Sequence, residues 1–100
     1  MQNARRTPRV PFAAQAVLRA GPTERQSKLV NFSERGCFLE TSASLPVASH
    51  VQLSFRIADL VLGCQAVVRH ENLTGIGLEF IQLDRATLAA FRALVNLIKR

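Results

Sequence analysis

Two sets of side chains in this 100-residue chain have types and spacing suited to chemistry. Arg5-x-x-x-Arg9 places two guanidinium groups near the start of the chain, with Arg6 between them. Each guanidinium is a planar fork of N–H donors that fits phosphate oxygens or the O6/N7 edge of guanine. Asn31-x-Ser33-x-x-Gly36 combines an amide that donates and accepts, a hydroxyl that does either, and a glycine able to turn sharply with positive φ. At a strand end, that set could read the edge of a nucleobase. Each set also has a plainer explanation. Arginine pairs at this spacing arise by chance in a chain with eleven arginines, where a solvated basic tail is expected. Asn, Ser and Gly recur in turns for purely local reasons.

The charge distribution favours an anionic partner. Thirteen Lys and Arg against seven Asp and Glu leave a net charge of +6. Residues 1–35 hold seven of the cations and only two acids, Glu24 and Glu34. Arginine makes up eleven of the thirteen cations, which suits planar recognition of phosphate or guanine better than diffuse attraction. Enzymatic chemistry has no comparable support. His50 and His70 stand apart without a second ligand at metal spacing, so no metal site is expected. Ser33 lacks a Gly-x-Ser-x-Gly context, and no phosphate-binding Walker loop occurs. Cys37 and Cys64 lack CxxC spacing and read as buried thiols.

The elements that must position these residues follow from periodicity. Pro8 and Pro11 disfavour helix around them, so residues 1–11 read as a flexible Arg-rich arm and residues 12–100 as a single domain. Strands are expected at Phe12–Ala20, Gln26–Asn31 and Cys37–Thr41, with Gly21-Pro22 and the Phe32–Gly36 segment as turns. In HVQLSFRI, Val51, Leu53, Phe55 and Ile57 share one face, as in a strand with one buried side. Leu60–His70 and Gly75–Ile81 alternate in the same way. After Asp84, a natural N-cap, Leu88, Phe91, Leu94, Val95 and Ile98 recur at helical spacing. The resulting fold class is mostly β: a six-stranded antiparallel barrel or sandwich with a C-terminal α-helix. No apolar run approaches the ~20 residues that span a bilayer, and the N-terminus lacks a secretory apolar stretch. A cytoplasmic protein without membrane insertion is expected.

Taken together and in order, RRTPRVPF, NFSERGCFLET and GIGLEFIQLD resemble the PilZ domain family over nearly the whole chain. The resemblance implies a six-stranded antiparallel split barrel followed by a helix, and a receptor for cyclic di-GMP rather than an enzyme, with no cofactor beyond that ligand. It assigns Arg5 and Arg9 to phosphates and guanine, and Asn31, Ser33 and Gly36 to a guanine at the barrel surface. Arg6 and Arg35 are additional candidate contacts. Asn31 stands where Asp is commoner in the family, and Arg35 where a small residue is frequent. Ordering of the arm on ligand binding would alter the surface shown to a downstream protein partner. Two other readings compete. One is a PilZ-like adaptor that binds protein without ligand. The other is a basic barrel for single-stranded nucleic acid, which the lack of Trp and Tyr platforms disfavours.

Overall fold

The computed structural model describes residues 10–99. Six strands precede one helix: β1 (Val10–Ala20), β2 (Thr23–Phe32), β3 (Gly36–Glu40), β4 (His50–Ile57), β5 (Leu60–Glu71), β6 (Gly75–Ile81) and α1 (Arg85–Lys99). The strands close into an antiparallel barrel in the order β1-β2-β3-β6-β5-β4, with β4 pairing back onto β1. Closure gives every strand a neighbour on both sides, so no strand is left as an open sheet edge that invites aggregation.

The period-two pattern is realised side by side around the ring. Val51, Leu53 and Phe55 of β4 point inward with Ile76, Leu78 and Phe80 of β6, and Ala16 and Leu18 of β1 join them. Phe91 enters this core from α1. Its ring lies 5.2 Å from that of Phe32 and 5.0 Å from that of Phe80, both edge-on, which adds about 0.5–1.5 kcal/mol per pair to the burial itself. Phe91 is the one fully buried residue of the helix, and it anchors α1 to the barrel. Asp84 caps the helix as expected: its Oδ1 accepts the Thr87 amide at 2.7 Å.

Several element boundaries differ from the expectation. Val10 and Pro11, assigned to the arm, are strand residues paired with Phe32 and Asn31. Pro11 is compatible with a strand here because a register irregularity between Pro11 and Ala14 relieves the ladder. β2 starts earlier, at Thr23, because Gly21-Pro22 makes a two-residue hairpin turn, with Gly21 at φ 59°. β3 begins at Gly36 and ends at Glu40, one residue before Thr41. Of the two thiols Cys37 is buried, but Cys64 is only partly so.

One glycine outside the RxxxR and NxSxxG sets is required by close packing. A Cβ on Gly75 would sit 1.8 Å from the carbonyl oxygen of Leu39 on β3. Strand β6 can lie this close to β3 only without a side chain at that position.

Candidate ligand-binding site

The loop between β2 and β3 is built around one hydroxyl. Ser33 Oγ accepts the backbone N–H groups of Gly36 at 3.0 Å and Arg35 at 3.2 Å, and donates to the Gly36 carbonyl at 3.2 Å. The Ser33 N–H closes the hairpin on that same carbonyl at 2.8 Å. Ser33 is 2 % exposed, and both lone pairs and the proton of its hydroxyl are used within the turn. Its role in the geometry is therefore to shape the turn, as in other local Ser motifs.

Gly36 departs from the expectation of positive φ. Among the described glycines only Gly21 has one; Gly36 instead opens β3, buried and opposite Glu79. With Ser33 Oγ substituting for a backbone acceptor, the loop turns without left-handed backbone at its last residue.

Asn31 is half-buried on β2. Its neighbours in the ladder are Pro11 on β1 and Phe38 on β3. Because Phe32 and Leu29 point into the core, Asn31 faces outward, as does Phe38 between buried Cys37 and Leu39. A partly exposed aromatic ring thus stands beside the Asn31 amide on the outer wall. The next residue across the sheet from Phe38 is Gly77, followed by His70. Phe38 was missed in the motif reading. The alternation of Cys37 and Leu39 was the signal that sends it outward.

The two acids bordering the turn are both ion-paired. Glu34 accepts from Arg92 Nε of α1 at 2.5 Å, and Glu79 accepts from Arg69 Nε at 2.6 Å. Arg35 is exposed and makes no ion pair among the described residues. The local field at the turn is consequently positive. Arg5, Arg6 and Arg9 lie outside the described residues. Arg9 nevertheless adjoins Val10 in the chain, and Val10 pairs with Phe32. The register thus places Val10 and Pro11, the residues after the RxxxR segment in sequence, beside the strand end that carries Asn31.

The sequence profile of the PilZ domain matches residues 3–97. The chain belongs to the PilZ domain family. Solved structures of PilZ proteins share its fold. The cyclic di-GMP-bound PilZ domain of YcgR from Escherichia coli superposes with a TM-score of 0.81 at 11% identity, covering 98% of this chain and 93% of that one. YcgR in complex with cyclic di-GMP, also from Escherichia coli, gives a TM-score of 0.83 at 14% identity over 98% of this chain. The inhibitor of motility MotI/DgrA of Bacillus subtilis gives 0.80 at 15% identity over 99% of this chain. The PilZ chain described here spans only 47% of that longer YcgR chain and 52% of MotI. A search of curated proteins finds no significant match. PilZ domains are receptor domains for cyclic di-GMP and not enzymes. Among the described residues no helix is long and apolar enough to cross a membrane.

Proposed function

We propose that this PilZ domain is a cytoplasmic receptor for cyclic di-GMP, held between the Arg5–Arg9 segment and the outer face of β2 and β3. The ligand presents two phosphodiester charges and two guanines, so its site needs cations, planar surfaces and hydrogen-bonding groups. Arg5 and Arg9 supply the charge, with Arg6 and Arg35 as further contacts; their guanidinium planes also stack on bases. Asn31 offers its amide to a guanine edge beside the Phe38 ring, and Ser33 with Gly36 holds the turn in shape. One observation supports this reading: Val10 pairs with Phe32 and Pro11 with Asn31, so the residues that follow Arg9 in the chain lie beside the strand that carries Asn31. Ordering of residues 1–9 over the ligand would then change the surface offered to a downstream protein.

Titration calorimetry with cyclic di-GMP, GMP and a single-stranded oligonucleotide tests the proposal. Saturable binding of the cyclic dinucleotide alone is expected, lost in Arg9→Ala and weakened in Ser33→Ala. Equal and steeply salt-dependent binding of the oligonucleotide would overturn it in favour of nucleic acid. No binding of any of the three would leave a ligand-free adaptor. Unchanged amide resonances of residues 2–7 at saturation would reject the arm-ordering step.

A further inference from the structure

The wall across the barrel from this site carries a cavity of its own. In the ring order, β4 and β5 lie opposite β2 and β3. A hollow of about 430 Å³ opens on their outer face, bounded by β1 on one side and by the chain from Gln82 to Thr87 on the other. That volume falls in the range of small-molecule sites. A second hollow of about 280 Å³ continues it along the same strands, through Arg19, Gln52 and Gln65 toward His50.

Strand alternation builds the floor. Leu53 and Phe55 point into the core, so Gln52 and Ser54 point out, and their β5 partners Gln65 and Gly63 lie beside them. Gly63 leaves a recess above Ser54. A Cβ placed on it would meet nothing closer than the Leu53 carbonyl oxygen at 3.4 Å. Gln82 forms part of the rim and holds a left-handed φ of 56°, a conformation unfavourable for a residue with a side chain.

The chemistry of the lining narrows the ligand. Val17, Leu53, Cys64 and Leu83 supply its apolar part. Of its charged groups, Arg19 pairs with Glu24 at 2.9 Å, and Asp84 is committed to capping the helix through the Thr87 amide. Gln52, Gln65, Gln82 and Ser54 have polar side chains with no hydrogen bond to another described residue. Each of these four can donate and accept. None of the described residues lining the larger hollow is aromatic, so a base has no face to stack on there. Among the described residues that line it, the one cation, Arg19, is already paired with Glu24. From this set of groups we infer that the cavity binds a neutral, hydroxyl-rich small molecule of sugar size. Hydroxyls are donors and acceptors at once, and so match carboxamides without leaving either partner unsatisfied. The inference stands apart from the cyclic di-GMP reading, since no residue is shared between the two sites.

Two-dimensional amide NMR of the full chain, titrated with maltose and with sucrose, tests it. Saturable shifts confined to Gln52, Ser54, Gln65 and Gln82, including the carboxamide signals, are expected for at least one sugar. Gly63→Leu fills the recess at an open strand position, so it should keep a dispersed spectrum while losing those shifts. Gln52→Ala should weaken the titration several-fold. Absence of saturable shifts at these residues with both sugars overturns the inference. So do shifts that persist in Gly63→Leu, or an equal response to inorganic phosphate.

Discussion

Arg92 on α1 donates to Glu34 in the Ser33–Gly36 turn at 2.5 Å, across 58 residues of sequence. Its neighbour Phe91 is sunk in the barrel core among Phe32, Phe55 and Phe80. Adjacent residues of one helix therefore grip the core and the candidate ligand turn. Placement of the turn depends on placement of the helix. Arg92 is half exposed, so the pair contributes at most about 1 kcal/mol to stability. Arg92→Ala should lower unfolding stability within that limit, yet speed hydrogen exchange at the Arg35 and Gly36 amides. If exchange there matched wild type, the helix would not be holding the turn.

Phe91→Ala should be far more damaging. Removing a fully buried aromatic ring from a packed cluster costs about 3–5 kcal/mol. Urea unfolding monitored by circular dichroism should show a loss of unfolding free energy of that size, read as a lower midpoint at unchanged slope.

Two glycines on the barrel predict opposite outcomes for the same substitution. Gly75→Ala forces a Cβ to within 1.8 Å of the Leu39 carbonyl, so β6 must separate from β3. Severe loss of soluble, folded protein is expected. Gly63→Ala meets only ordinary contact distances and should leave the thermal midpoint unchanged or raise it.

Phe38 gives a prediction for binding without a matching one for folding. Its ring is partly exposed beside Asn31. Truncation to Ala should weaken cyclic di-GMP binding by about 1–3 kcal/mol, the usual worth of stacking a base on an aromatic face. Calorimetry on Phe38→Ala and Phe38→Tyr checks this, with Tyr expected to restore affinity.

Burial pushes the Cys64 thiol from 9.0 up to about 12. The folded state therefore holds this proton more tightly than the unfolded chain does. Stability from this group is complete below about pH 9 and declines as pH rises toward 12. Cys64→Ser should flatten that decline. Alkylation of native protein at pH 8 should be slow, because the reactive thiolate is scarce. Fast labelling of Cys64 would contradict the burial.

Much of the barrel was legible in residue order because one-sided burial imposes a period of two and a docked helix one near 3.6. HVQLSFRI became β4 with the inward face as read, and Asp84 began the helix. Boundaries at Val10 and Thr23 were not legible, since pairing with a partner strand extends a strand beyond its own apolar pattern. Ser33 and Gly36 were visible as a turn motif, but not the hydroxyl's full commitment to that turn. The alternation of Cys37 and Leu39 pointed Phe38 outward, but its place beside Asn31 came from the β2–β3 register. Gly75 and the Glu34–Arg92 pair escaped because each depends on a neighbour distant in sequence.

The sequence by itself determined the motifs, the inward and outward faces of most strands, and the family they resemble. These are local or periodic properties, written in the order of side chains. Only the tertiary structure decided that β1 lies against β2 at the register joining Pro11 to Asn31, and that Arg92 reaches Glu34. It alone placed a cavity of mixed polar and apolar lining on the wall opposite the turn. The Gly21-Pro22 turn makes β1 and β2 neighbours, but the irregularity between Pro11 and Ala14 and the docking of α1 on the barrel fix where these residues meet, and both rest on contacts between segments that no single stretch encodes.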